Sequence, residues 1–441
     1  MSNPQSELHF GARNGPSNWS APDMDSFRFV HAADLHIDSP FSGIGDVDGR
    51  VATRLREATY EAFQNLVDLC ISTDADFLVI AGDVYDGADR SVRAQLRFRD
   101  GLSRLADKGI QTFVVHGNHD PLDGWQSSIS WPDGVHIFGA TPEWKNIEKN
   151  GEVVAAVQGM SYPTREVVDN LAVQFSPPPS GSIFAIGLLH ANVGANSAHK
   201  NYAPCTVEDL SASGIDYWAL GHVHTRQTLK RAAPVIAYPG NTQGRHPNET
   251  GARGALVVDV DPSGASKTEF VPLDVVRWEH SEVDISSLET IDGLDSAIRQ
   301  QTDNLSAQAE DRDVVCRVNL VGRGPLHEQL AADGAVDDLL EAARSSWSGG
   351  APWVWVERIV DSTRPSIDIE SRAKQDDFLG TTLKRALLSS IESDEIDRLT
   401  EVVSDVYSGR RNGLDKPDDE QVSAWAEEAR WYLAELLEQG R

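Results

Sequence analysis

Residues 77–86 read FLVIAGDVYD, five apolar residues from Phe77 to Ala81 followed at once by Gly82-Asp83-Val84-Tyr85-Asp86. An apolar run of this length is a strand, and polar residues directly beyond its C-terminal end stand where open α/β sheets build their sites. The same grammar repeats on both sides of it. Strands are expected at 27–32, 112–115, 153–158, 183–189 and 217–220, with amphipathic helices at about 51–72 and 91–108. In the first helix Leu55, Ala58, Ala62, Leu66 and Leu69 recur near a 3.6-residue period. Strands at 235–238, 255–259 and 268–272 have no helices between them and add antiparallel pairing. The expected fold class is α/β: a layered sandwich of mixed sheets flanked by helices, followed by a smaller α/β unit and a helical C-terminal segment.

Four further strand ends carry polar clusters like that of Gly82-Asp83. Asp34-Leu35-His36 follows the first strand and Gly117-Asn118-His119-Asp120 the third; His190 and Gly221-His222-Val223-His224 close the fifth and sixth. One Asp-x-His triplet arises about once by chance in a chain this long, but five such ends are hard to assign to packing. Imidazole and carboxylate donors without thiolate suit manganese, iron or zinc better than magnesium or calcium. Some seven ligands exceed the needs of one centre, so two metals are implied. Gly82, Gly117 and Gly221 fit tight turns or close backbone approach.

This ordered set resembles the calcineurin-like metallophosphoesterase superfamily over residues 27–275. The stretches HAADLHIDSPF, GDVYDG, NYAPCTVEDL, DYWALGHVH and YPGNTQGRH are similar to its DNA double-strand-break repair exonuclease branch, of the SbcD type and nearest the YhaO type. CRVNLVGRGPLHEQL resembles that branch's capping domain. The resemblance implies one metal on Asp34, His36, Asp83 and His224 and a second on Asp83, Asn118, His190 and His222, with Asp83 bridging. It implies two divalent ions, manganese first, with iron and zinc as alternatives. His119 matches the catalytic histidine, which contacts the phosphate or the leaving group. Asp86 either orients that histidine or caps the following helix. The implied activity is DNA phosphodiester hydrolysis by an exonuclease in DNA repair, with a coiled-coil SMC-like ATPase as partner and a homodimer as a further implication. The rivals are a phosphodiesterase for a cyclic nucleotide or other small diester, and a non-catalytic DNA-end tethering scaffold. A phosphoprotein phosphatase fits less well, because the arginine expected just after Gly-Asp is replaced by Asp86-Gly87-Ala88.

Composition sets the frame. A chain of 441 residues, 40% hydrophobic and 24% charged, can bury real cores in two or three domains. Expected boundaries are a flexible tail at 1–26, the dinuclear domain at 27–275, a cap at 276–365 and a helical region at 366–441. The net charge of −29 opposes a polyanionic partner, yet 36 acidic against 18 basic residues lie after position 270, so most of the excess belongs to the C-terminal part. Cys70, Cys205 and Cys316 are odd in number and far apart, which points to buried thiols in a reducing compartment. No apolar run is long enough to span a membrane and no leader precedes the first strand, so a cytoplasmic protein is expected.

Other residues have two readings. Arg90, Arg93 and Arg97 share a helix face that is either solvated or turned to a phosphate backbone. His31 reads as a core or edge histidine, His116 as a supporting contact, and Lys200, Asn201 and Tyr202 as a loop near substrate. The C-terminal Trp425, Trp431, Tyr432, Leu433 and Leu436 form an apolar helix face that packs within the chain or docks on a partner.

Overall fold

The computed structural model describes residues 25–39, 41, 49–87, 91–124, 129–179, 183–194, 202–345, 352–366, 369–388 and 418, with eight further residues from 421 to 432. The chain divides into two compact units, and the division falls between Arg277 and Trp278.

The first unit holds two six-stranded sheets. In chain order its elements are β1 (Phe27–Ala32), α1 (Gly49–Ser72), β2 (Phe77–Ala81), α2 (Val92–Ala106), β3 (Gln111–Val115), β4 (Val135–Ile137), β5 (Glu143–Lys149), β6 (Glu152–Met160), β7 (Phe184–His190), α3 (Val207–Ser211), β8 (Tyr217–Gly221), β9 (Gln227–Lys230), β10 (Val235–Tyr238), β11 (Gly254–Val260) and β12 (Ser266–Pro272). Sheet one runs β12-β11-β1-β2-β3-β4 and sheet two β5-β6-β7-β8-β10-β9. Both have parallel centres, β1 to β4 in one and β6, β7, β8 and β10 in the other, with antiparallel strands outside them. All five strands that end in polar clusters therefore lie in the parallel parts.

Strand alternation makes the layers. Phe77, Val79 and Ala81 of β2 join Phe29, Ile186, Leu188, Tyr217 and Ala219 in the core between the sheets. Phe29 stacks on Phe77 at 5.0 Å and meets Tyr217 edge-on at 5.2 Å. Leu78 and Ile80 point the other way, onto Phe63 and Leu66 of α1 and Phe98 and Leu102 of α2. The outer face of sheet two, with Leu189, Trp218 and Leu220, is covered by Tyr162, Phe175 and Leu210, and the Trp218 indole donates to Leu210 O at 2.9 Å.

The second unit begins within β13 (Val276–Asp284) and continues with α4 (Ile291–Gln308), β14 (Asp313–Val321), α5 (His327–Leu330), α6 (Ala335–Ser345), β15 (Val354–Asp361), α7 (Ile369–Arg372) and α8 (Phe378–Leu388). Its sheet runs β13-β14-β15 and packs Val314, Cys316, Val318 and Leu320 against Leu294 and Ile298 of α4. Between α5 and α6 the chain turns at Gly334, which adopts φ +83. Trp431 packs beside Ile369, Leu379 and Leu383, so this part of the C-terminal apolar face is used within the chain. Leu433, Leu436 and the expected tail before residue 25 lie outside the described residues. Among the described residues no helix is long and apolar enough to cross a membrane. All three cysteines are free and buried.

Candidate metal centre

Backbone pairing carries the site beyond the strands. Asp34 N–H donates to Gly82 O at 3.0 Å, His36 N–H to Asp83 O at 3.0 Å and Ile37 N–H to Val84 O at 2.9 Å, so the loops after β1 and β2 remain zipped. Four non-glycine residues in these two loops take positive φ, Asp34 (51°), His36 (45°), Asp38 (66°) and Asp83 (52°), and His222 (101°) does so after β8. Such conformations cost about 1–3 kcal/mol each and persist where the surroundings impose them. Gly117 is required by proximity: a Cβ there would collide with the Asp83 carboxylate and stand 2.8 Å from the His190 ring.

The side chains converge from both sheets. Asp34 and Asp83 are almost wholly buried, as are His36, Asn118, His190 and His222. Asp34, His36 and His224 form one group whose ligand atoms could share a metal ion, and Asp34, Asp83 and His190 form another. His36 Nε2 faces His224 Nε2 at 3.2 Å. Asn118 Oδ1 lies 3.0 Å from His190 Nε2 and 3.2 Å from His222 Nδ1. Asp83 Oδ2 is 3.3 Å from His190 Nε2 and 3.9 Å from His36 Nε2, between the two groups. The site residues expected after β1, β2, β3, β7 and β8 are thus brought into one cluster.

These donors fit a cation. His190 Nδ1–H donates to Ala81 O at 2.9 Å, which turns Nε2 toward Asn118 Oδ1 and Asp83 Oδ2; in the neutral ring that nitrogen is a lone pair facing oxygen lone pairs. His224 Nδ1–H likewise donates to Glu249 Oε1 at 2.5 Å and frees its Nε2. A histidine anchored through one nitrogen, with the other presented inward, is the usual arrangement of a metal ligand. Electrostatics agree. Burial opposes charge on His190, but Asp83 and Asp34 outweigh it and lift its pKa to about 9. Burial raises Asp34 to about 6, whereas Asp83, despite its burial, is held well below the usual carboxylate range by His190. The carboxylates demand positive charge here, which a divalent ion would supply.

His119 stands beside this group. Its backbone N–H donates to Asp83 Oδ1 at 2.9 Å and its Nδ1–H donates to Asp86 Oδ1. Burial alone would lower the His119 pKa, but the Asp86 hydrogen bond and the Asp83 charge raise it above its ordinary value. Of the two readings of Asp86, helix capping falls away, since α2 is capped by Ser91, whose hydroxyl accepts from Ala94 N–H. The other Asp86 oxygen accepts from Ser39 Oγ at 2.6 Å and Arg245 Nη1 at 2.7 Å.

A sequence profile of the calcineurin-like phosphoesterases matches residues 27–226, and one described as the middle domain of metallophosphoesterase YhaO matches 278–364. An uncharacterized metallophosphoesterase, YhaO, of Bacillus subtilis is 35% identical over 417 residues, 94% of this chain and 98% of that protein. The chain belongs to the calcineurin-like metallophosphoesterases. Two other similar proteins are a subunit of the nuclease SbcCD of Bacillus subtilis, 26% identical over 57% of this chain and 72% of its own, and the DNA double-strand break repair protein Mre11 of Methanopyrus kandleri, 24% identical over 89% and 84%. Membership makes this metallophosphoesterase a metal-dependent phosphoester hydrolase, and its fold implies divalent metal ions.

Nothing in the sequence alone singles out Glu249, Ser39 or Arg245. Ser39 lies within HAADLHIDSPF and Arg245 within YPGNTQGRH, but spacing does not connect Arg245 to Asp86, 159 residues earlier. Asp120 orders the metallophosphoesterase loops, accepting from Gly117 N–H at 2.7 Å and Val84 N–H at 2.9 Å, and His116 touches Asp120 at 3.0 Å. His31 sits in the core against Tyr217 OH and Leu220 O. Arg93 pairs with Asp38 in the loop after β1, and Arg97 pairs with Glu57 of α1 and lies over Tyr60, so both tie α2 to neighbouring elements. Tyr202 is buried with its ring 6.0 Å from that of His222; Arg90, Lys200 and Asn201 lie outside the described residues.

Proposed function

We propose that this is a dinuclear phosphodiesterase acting on DNA, with one ion on Asp34, His36, Asp83 and His224 and the other on Asp83, Asn118, His190 and His222. The observation that carries the reading is the position of Asp83, whose carboxylate stands between the His36 side and the His190 side. Manganese is the proposed metal, from a donor set of imidazoles and carboxylate or amide oxygens without thiolate; iron and zinc are the alternatives.

When bound, the ions supply Lewis acidity and make water nucleophilic at neutral pH. The chain does the rest. Asp34 and Asp83 hold negative charge beneath the reacting phosphate, and the imidazoles keep fixed orientations through Ala81 O and Glu249. His119, held through Nδ1 by Asp86, presents Nε2 to the leaving group. Water oxygen bonds to phosphorus, the opposite P–O bond breaks, the water proton passes to solvent, and the departing oxygen takes its proton from His119.

DNA as substrate is supported by the two similar proteins named for nuclease and break-repair activity, and a partner chain by the naming of one of them as a subunit; an SMC-like ATPase is the partner proposed. The overall charge of −29 favours a second reading, a small phosphodiester substrate. On the DNA reading, affinity is local to the metal centre, weak in the isolated chain and metal-dependent. The test assays purified protein with manganese against labelled duplex, single-stranded DNA and bis-4-nitrophenyl phosphate, with and without the ATPase. Cleavage of DNA supports the reading. Cleavage of the reporter alone transfers the function to a small substrate, DNA-end binding without any cleavage leaves a tethering scaffold, and tight DNA binding in chelator overturns the metal-local account.

A further inference from the structure

The sequence has no arginine directly after Gly82-Asp83 to grip a phosphate, yet an arginine arrives from elsewhere. Arg245, between β10 and β11, places Nη1 2.7 Å from Asp86 Oδ2 and 2.5 Å from Ser39 Oγ. Asp86 turns its other oxygen to His119 and, at 3.8 Å, to His36 Nδ1, so the guanidinium is tied through Asp86 to both histidines. Only one of its three nitrogens is engaged. Nε is buried without a hydrogen-bond partner, and among the described residues no acceptor takes Nη2. A guanidinium offers five N–H donors in a planar fork; with Nη1 engaged and Nε closed off from solvent, Nη2 is the nitrogen left to meet a phosphate oxygen.

We propose that Arg245 is the phosphate clamp of this centre, anchored on Asp86 and Ser39 through Nη1 and donating from Nη2 to a non-bridging oxygen of the substrate phosphodiester. It deepens, and rests on, the phosphodiesterase reading. Anchoring on the same carboxylate that orients His119 sets the clamp and the proton donor in one frame, so substrate held by Arg245 is already aligned with His119. The expected ligand class is any phosphodiester monoanion, DNA included, and the inorganic phosphate dianion as a competitive inhibitor.

The experiment compares wild type, Arg245→Lys and Arg245→Ala, each loaded with manganese and checked for metal content. It measures kcat and KM on bis-4-nitrophenyl phosphate, the inhibition constant of inorganic phosphate, and rescue by guanidinium chloride at concentrations below those that unfold the chain. Expected for Arg245→Ala is a rise of about tenfold or more in both KM and the phosphate inhibition constant, with metal content intact and partial recovery on adding guanidinium. Arg245→Lys should fall between, since lysine keeps the charge and loses the fork. Unchanged KM and phosphate inhibition in an active Arg245→Ala protein would overturn the clamp while leaving the phosphodiesterase reading in place. Loss of metal from Arg245→Ala without guanidinium rescue would also overturn it, in favour of a purely structural role. Wild type that cleaves no phosphodiester under any metal sinks both, and that control separates the two failures.

Discussion

In the proposed mechanism the chemistry turns on His119, which touches Asp83 through its backbone and Asp86 through its side chain. His119→Asn should keep both metals, measured by elemental analysis, and lower kcat by about 10²–10⁴, the usual worth of a positioned general acid. Undiminished turnover would remove it from the mechanism. Glu249 acts one contact further out, on His224 Nδ1. Glu249→Gln should weaken manganese affinity about 10- to 100-fold in calorimetric titration, and wild-type affinity would show that the carboxylate does not tune the ligand. At this scale the positions of the cluster are legible because each follows an apolar strand. Glu249 and Ser39 are not, since an isolated acid or hydroxyl has no periodicity and gains meaning only from the fold that brings it to a histidine.

Elements are legible in proportion to burial. Phe77–Ala81 and Phe27–Ala32 have wholly or largely apolar sequences, and their limits are readable to the residue. β5 is not, because EWKNIEK alternates around charged side chains on an outer strand, and β4 and β9 are too short to show a period. β13 runs on from the expected domain boundary and escapes a sequence reading, six of the nine residues of VRWEHSEVD being polar. Turns between elements carry consequences that strands do not. Gly117→Ala should leave the far-ultraviolet circular dichroism of the sheets intact but reduce bound manganese, since a Cβ there meets Asp83 and the His190 ring. Full metal occupancy in that variant would show that the loop after β3 can yield.

Stability of the whole first unit should depend on pH through His31, which lies between the sheets with Nδ1 at 3.1 Å from Tyr217 OH. Burial pushes its pKa down to about 3. The unfolded chain takes up a proton near pH 6.5 and the folded chain does not, so stability is lost as pH falls from about 6.5 toward 3. Between pH 7 and pH 5 the loss attributable to this residue is about 2 kcal/mol by proton linkage. His31→Gln should flatten that part of the pH dependence of urea unfolding, and an unchanged slope would assign the acid sensitivity elsewhere.

The proposed ligand set also has a mechanical side. Asp34, His36, Asp83 and Asn118 follow strands of sheet one, while His190, His222 and His224 follow strands of sheet two. A bound ion therefore laces the two layers together at one rim, and withdrawing it unlaces them. Free metal at 100 times its dissociation constant is worth about 2.7 kcal/mol of folding free energy, so a chelator should lower the melting temperature and speed trypsin cleavage. Equal melting with and without chelator would deny the lacing. In a cell short of divalent metal, such a protein is lost by degradation as well as by inactivity: its abundance becomes a readout of metal supply.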